Sequence, residues 1–212
     1  MNDKKLGMRI LRLFFGIFLY ALGIVLSIRA DIGVAPWATF HQGISNLLGI
    51  TFGQATIGVG FIILGFNYFM DIKIGFGTII NVFGIGSLVD FLLVNNIVPK
   101  MTTLLGGIVM VILSMFVIAL ATYFYIGAGF GTGPRDGLMV GLVKKTNKKV
   151  GLIRGSIELT VLFIGFMLGA KVGIGTVILG VGIGPIVHWT FKVLDFDVKN
   201  VEHQYLSLKF QL

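Results

Sequence analysis

Arg135 and Asp136 stand directly behind Pro134 in the run Gly131-Thr132-Gly133-Pro134-Arg135-Asp136-Gly137, a cation and an anion beside a glycine-rich break in an otherwise apolar chain. A shift of 98 residues toward the N-terminus finds a matching break, Ala30-Asp31-Ile32-Gly33-Val34-Ala35-Pro36-Trp37, with Arg29 before it and His41 and Gln42 one turn beyond. Proline at the first position of a helix forfeits no hydrogen bond, because that N–H has no intrahelical partner anyway. Helices starting at Pro36 and Pro134 therefore present free amide N–H groups and a positive dipole end, which suits a carboxylate, a phosphate or another anion. Asp31, Pro36, Trp37, His41, Gln42, Pro134, Arg135 and Asp136 are the candidate substrate-binding residues. The plainer readings stay open: the breaks are loops outside the bilayer, the charges tie down unwound chain, and Trp37 anchors the interface.

Asp90 and His188 are also 98 residues apart, a candidate pair for proton relay, with interfacial snorkelling as the alternative. Arg154 and Glu158, at i and i+4, are expected to neutralise each other on one helix face. No His-Glu-x-x-His, nucleophile elbow or cluster of metal ligands occurs, and the Gly-x-Gly pieces lack the Walker pattern. The expectation is a protein that is not an enzyme, with no catalytic residue, metal or cofactor.

What positions these residues is a membrane bundle. Apolar residues make up 56% of the 212 and charged ones 12%, about half the roughly 25% of soluble domains. No fold of this length hides so much apolar surface from water, so the chain is read as an integral membrane protein. The formal charge of +8, gathered in Lys4, Lys5, Arg9 and Arg12 and again in Lys144, Lys145, Lys148 and Lys149, fits the positive-inside bias and needs no nucleic acid. Residues 8–28 are long enough to span, at about 20 residues, and are read as a retained first helix with a cytoplasmic N-terminus.

The offset of 98 runs without a gap from residues 21–91 to 119–189 and falls on Gly33/Gly131, Pro36/Pro134, Lys73/Lys171, Gly75/Gly173, Gly77/Gly175 and Thr78/Thr176. Chance matches in an apolar chain would favour Leu and Ile, so the sequence predicts an all-α fold of two tandem repeats with pseudo-twofold symmetry. Each repeat holds four helical segments, one long, one short after the break, and two further spans. The divisions are residues 1–98, residues 99–194, and a polar cytoplasmic tail over 195–212. If the short segments cross the bilayer the repeats are parallel; if they return, the repeats are inverted. An extended leg plus about 14 helical residues nearly covers a thin bundle, which favours crossing.

The first break with His41-Gln42-Gly43 and Thr51-Phe52-Gly53-Gln54, and the second with Gly133-Pro134-Arg135-Asp136-Gly137, resemble the YczE/YyaS/YitT group of bacterial multi-pass membrane proteins. In that group the first motif commonly reads Gly-Pro-Trp-Asp; here Ala35 and Ala38 replace the glycine and the aspartate. The resemblance implies the cytoplasmic membrane of a bacterium and no settled substrate. Short, Gly/Pro-interrupted segments at matching positions point to transport of a small polar or anionic solute between the breaks. The alternative is a non-transporting accessory or scaffold protein that binds lipid or a partner. The expected surroundings are the lipid bilayer, a small-molecule solute, and a second copy or other membrane partner, with no nucleic acid.

Overall fold

A computed structural model describes residues 3–205; residues 1–2 and residues 206–212 of the expected tail lie outside it. The elements are α1 (Asp3–Arg29), α2 (Pro36–Leu48), α3 (Phe52–Phe69), α4 (Phe76–Val94), α5 (Leu104–Gly127), α6 (Pro134–Thr146), α7 (Val150–Met167) and α8 (Ile174–Val193), followed by a 3-10 turn at Val198–Asn200. Among the described residues no strand forms, and all the helices but α2 and α6 are long and apolar enough to cross a membrane. Prolines open α2 and α6, and Gly49 and Asn147 end them in the left-handed conformation. Thr51 and Gln54 close a capping box on α3, satisfying two amides that helix geometry leaves free.

Lipid tails are as apolar as leucine, so burial alone cannot hold such helices together; close packing has to. It is tightest between α1 and α5, where Ile17, Ala21, Val25, Val111, Met115 and Ala119 are each exposed by 3% or less. A Cβ on Gly16 would lie 2.7 Å from the Tyr125 amide, and one on Gly23 would lie 2.6 Å from Ile118.

The bundle has two ends. At one, the Arg29 carbonyl accepts the Met101 N–H at 2.8 Å, and its guanidinium donates to the Leu93 carbonyl and to Asn96, both at 2.7 Å. Thr51 donates its hydroxyl to Asp90, and Asn46 reaches the Gly169 carbonyl at 3.2 Å. At the other end, Arg9 donates to the Ala128 carbonyl at 2.8 Å and the Gly129 carbonyl at 2.9 Å. There Tyr123 takes a hydrogen bond from Arg12 and an edge contact from Phe196, while Gln204 donates its N–H to Gly129.

These contacts make α2 return to the Arg29 end and α6 to the Arg9 end. Asn46, near the close of α2, and Thr51, just after it, lie with the Arg29-end residues; Gly141 of α6 lies against Met70 and Ile72 at the other end. The expectation that the short segments cross is thereby corrected. Residues 30–35 and 128–133 form irregular legs of turns and bends that carry the start of each short helix inside the bundle, and 13 helical residues supply only about 20 Å of the roughly 30 Å needed to cross.

Each leg is pinned by the far half of the chain. The Gly175 N–H donates to the Ile32 carbonyl at 2.8 Å, and the Gly77 N–H donates to the Phe130 carbonyl at 2.9 Å. Gly33 at φ 107° and Gly131 at φ 106° adopt backbone that L side chains avoid. A Cβ on Gly33 would come within 2.6 Å of the Gly173 amide, and one on Gly131 within 2.7 Å of the Gly75 Cα.

Candidate functional site

The two short helices meet start to start. The Arg135 guanidinium lies over the Trp37 ring, 4.8 Å from its centroid, and around this contact opens a cavity of about 240 Å³. Its walls come from the middles of the spans: Thr56, Val59 and Ile63 of α3, Asn81, Val82 and Ile85 of α4, and Tyr20 and Ile24 of α1. Position along α3 and α4 puts the cavity at mid-height. Gly133, Pro134, Arg135 and Asp136 bring in the start of α6, Trp37 and His41 the first turns of α2, and Arg154 and Glu158 the first half of α7. No side chain caps either short helix, so their first-turn amides stay available.

Polar groups in this cavity differ in what they already hold. The Tyr20 hydroxyl donates to Thr122 at 2.8 Å, and His41, only 2% exposed, meets the Thr56 hydroxyl through Nδ1 at 3.0 Å. Arg154 pairs with Glu158 at 3.1 Å, their side chains 59% and 32% exposed, and Asp136 beside them is open as well. The cavity is thus accessible along α6 and α7, toward the Arg9 end. Among the described residues, neither the Arg135 guanidinium nor the Asp136 carboxylate has a hydrogen-bond or ion-pair partner. A guanidinium with unused donors in a fixed plane is a receptor for a carboxylate or a similar anion.

Of the candidates read from residue types and spacing, Trp37, His41, Pro134, Arg135 and Asp136 gather here. Asp31 and Gln42 do not. They line a second cleft of about 270 Å³ at the Arg29 end, with Val34, Asn46 and Lys171. Trp37 and His41 lie on one face of α2 and Gln42 and Asn46 on another, so this helix is the wall between the two spaces. Pro36 opens that wall and lines neither space. Asp31, at φ 55°, binds Lys100 at 2.8 Å and Lys171 at 3.2 Å. The Lys100 hydrogen bond, helped by Lys171 and opposed by partial burial, holds its carboxyl below the usual carboxylate range.

Asp90 and His188 are not brought together. Asp90 accepts the Gly53 N–H at 2.7 Å near the Arg29 end, whereas His188 is exposed near the Arg9 end of α8. Among the described residues no group of three or more His, Asp or Glu side chains is placed to hold a metal ion.

The two pinned legs and the cavity between their helices belong to a chain whose residues 7–192 match the model of a family of unknown function, DUF6198. The protein is a member of that family. It is 34% identical over 179 residues to the uncharacterized membrane protein YczE of Bacillus subtilis (strain 168), covering 84% of this chain and 82% of the relative. It is 26% identical over 182 residues to an uncharacterized protein of Haemophilus influenzae, covering 86% and 83%, and 24% identical over 184 residues to the uncharacterized protein YyaS of B. subtilis, covering 85% and 90%. No solved structure matches. The YczE/YyaS resemblance of the two motifs is thereby established, and with it a multi-pass membrane protein.

Sequence reasoning missed Tyr20, Thr56, Asn81, Arg154 and Glu158 as lining residues. Asn81 and Glu158 carried a signal, since polar groups are costly within apolar spans. Tyr20 carried none, because a span's cavity face and lipid face are both largely apolar.

Proposed function

We propose that this protein is a secondary transporter for a small polar or anionic solute, bound where the starts of α2 and α6 meet, and that it carries out no chemical reaction. The single observation behind this reading is a mid-height cavity of about 240 Å³ between two helix starts, in which, among the described residues, Arg135 and Asp136 have no hydrogen-bond or ion-pair partner and no side chain caps either helix. Irregular backbone at membrane depth is tolerated only against protein or a water-filled space, and transporters use it to build their sites.

In the same reading, residues 1–98 and 99–194 are inverted repeats about a pseudo-twofold axis in the membrane plane. Support comes from the paired hydrogen bonds Gly175 to Ile32 and Gly77 to Phe130, whose members differ by 98 in opposite senses, and from short helices that return to opposite ends. The Arg9 end also carries Arg12, Lys73, Lys144, Lys145, Lys148, Lys149 and Lys192, against Arg29, Lys100 and Lys171 at the other. The positive-inside rule then makes the Arg9 end cytoplasmic in a bacterial inner membrane. The cavity opens inward, with α2 closing it from the outside.

Uptake into proteoliposomes, screened over a metabolite panel, tests this reading. Arg135→Ala or Asp136→Ala abolishes the uptake found for the wild-type protein while membrane insertion stays intact. Wild-type rates in both variants would remove these residues from the mechanism. Absence of any uptake would leave the field to an accessory or scaffold role.

A further inference from the structure

We infer that the solute carries a single negative charge on an apolar body, a small organic monocarboxylate, with its carboxylate on Arg135. This deepens the transporter reading and rests on it. Arg135 and Asp136 cancel in formal charge, and Arg154 and Glu158 cancel as a bonded pair at 3.1 Å. What remains is the two helix starts, each equivalent to roughly half a positive charge, or about one unit together. A monoanion balances that field. A dianion leaves one negative charge uncompensated at membrane depth, and a cation meets two positive dipole ends.

The geometry divides the cavity accordingly. Trp37 covers one face of the Arg135 guanidinium at 4.8 Å and leaves its edge to accept a carboxylate side by side, while the amides at the start of α6 lie next to it. Ile24, Val59, Ile63, Val82 and Ile85 line most of the opposite walls, with Tyr20, Thr56 and Asn81 as the polar groups among them, and this largely hydrocarbon lining suits an apolar body rather than a fully hydrated inorganic ion. His41 adds a second polar contact on the wall formed by α2. It is 2% exposed, its Nδ1 is taken by Thr56, and among the described residues its Nε2 has no partner.

A matched four-carbon series separates charge from size: sodium butyrate, disodium succinate, 4-aminobutyrate and butylammonium chloride. Each is titrated at equal ionic strength into the purified full-length protein, and the rise in unfolding temperature gives an apparent Kd. Butyrate is expected to bind tightest, and Arg135→Gln to weaken it roughly 10- to 100-fold, as loss of a charged hydrogen bond does. Glu158→Gln raises the cavity by one positive charge and shifts preference toward succinate, which keeps the proposal testable if the Arg135 variant fails to fold.

Succinate, 4-aminobutyrate or butylammonium binding the wild type as well as butyrate does would overturn the monoanion assignment while leaving the cavity a solute site. Butyrate binding that survives Arg135→Gln, or no binding of butyrate to the wild type, would overturn it too. Proteoliposome uptake with Arg135→Ala and Asp136→Ala decides the transporter reading separately, because it does not depend on which solute is carried.

Discussion

The two breaks share a skeleton and differ in what hangs on it. Gly33 and Gly131 hold nearly the same backbone angle, and Ile32 and Phe130 each accept an N–H from the first turns of a helix in the other half. Yet Trp37 stands where the second break has Arg135, Ala38 where it has Asp136, and His41 where it has Met139. The first break supplies an aromatic plate and a buried imidazole, and the second supplies charge. Surroundings differ as well: Asp31 is clasped by Lys100 and Lys171, while the Gly129 carbonyl takes hydrogen bonds from Arg9 and Gln204. Positions that match at the offset of 98 therefore hold the legs in place, and positions that differ make the cavity asymmetric.

If the skeleton is common to both breaks, damage to it should be symmetric. Gly33→Val and Gly131→Val each put a side chain into a disfavoured backbone region and against the opposing glycine, at an expected cost of about 3–5 kcal/mol. Loss of the monodisperse folded protein on detergent size exclusion checks this. Gly58→Ala and Gly180→Ala, where an added Cβ meets nothing within 4 Å, should be neutral or stabilising by up to about 1 kcal/mol. Tolerance at one break and collapse at the other would show that the skeleton is not shared.

Helix capping should separate the halves by a smaller margin. Thr51 caps α3 and its hydroxyl also reaches Asp90, whereas Lys149, at the matching place before α7, provides no cap. Thr51→Ala should cost about 1 kcal/mol and Lys149→Ala should stay within about 0.5 kcal/mol by thermal unfolding.

The smallest effect belongs to the clasp on Asp31. Its carboxyl is held below the unfolded value, so its contribution is present at and above roughly pH 4 and is lost as pH falls through the folded value. The pairs are substantially exposed, with side-chain accessibilities of 54% for Lys100 and 77% for Lys171, so Asp31→Asn should cost under about 1 kcal/mol near pH 7. The variant should also show a flatter acid limb in unfolding temperature against pH. An unchanged acid limb would detach the clasp from stability.

Much of this site could be read from residue types and spacing. Glycine and proline repeating at one offset marked both breaks, because backbone that must unwind in lipid leaves few residue choices, and Arg135, Asp136, Trp37 and His41 followed from proximity to them. What stayed hidden depends on facing. Trp37 and Gln42 are five residues apart on one short helix yet line different spaces. Arg154 and Glu158 satisfy each other along one turn, which looks the same in sequence whether the pair faces headgroups or a cavity. The return of the short helices was illegible for a different reason: only Lys73, Lys100 and Arg135 distinguish the two arrangements by charge, too few to weigh against helix length.

Both the site and its sidedness depend on α2 and α6 beginning at a shared mid-depth point and coming back out on opposite sides. The chain has no cysteine, so Leu48→Cys and Asn147→Cys introduce single reporters at the outer ends of the two short helices. In intact cells a membrane-impermeant maleimide should label Leu48→Cys directly, and Asn147→Cys only after permeabilisation. Labelling of both from the same side of the membrane would contradict this arrangement.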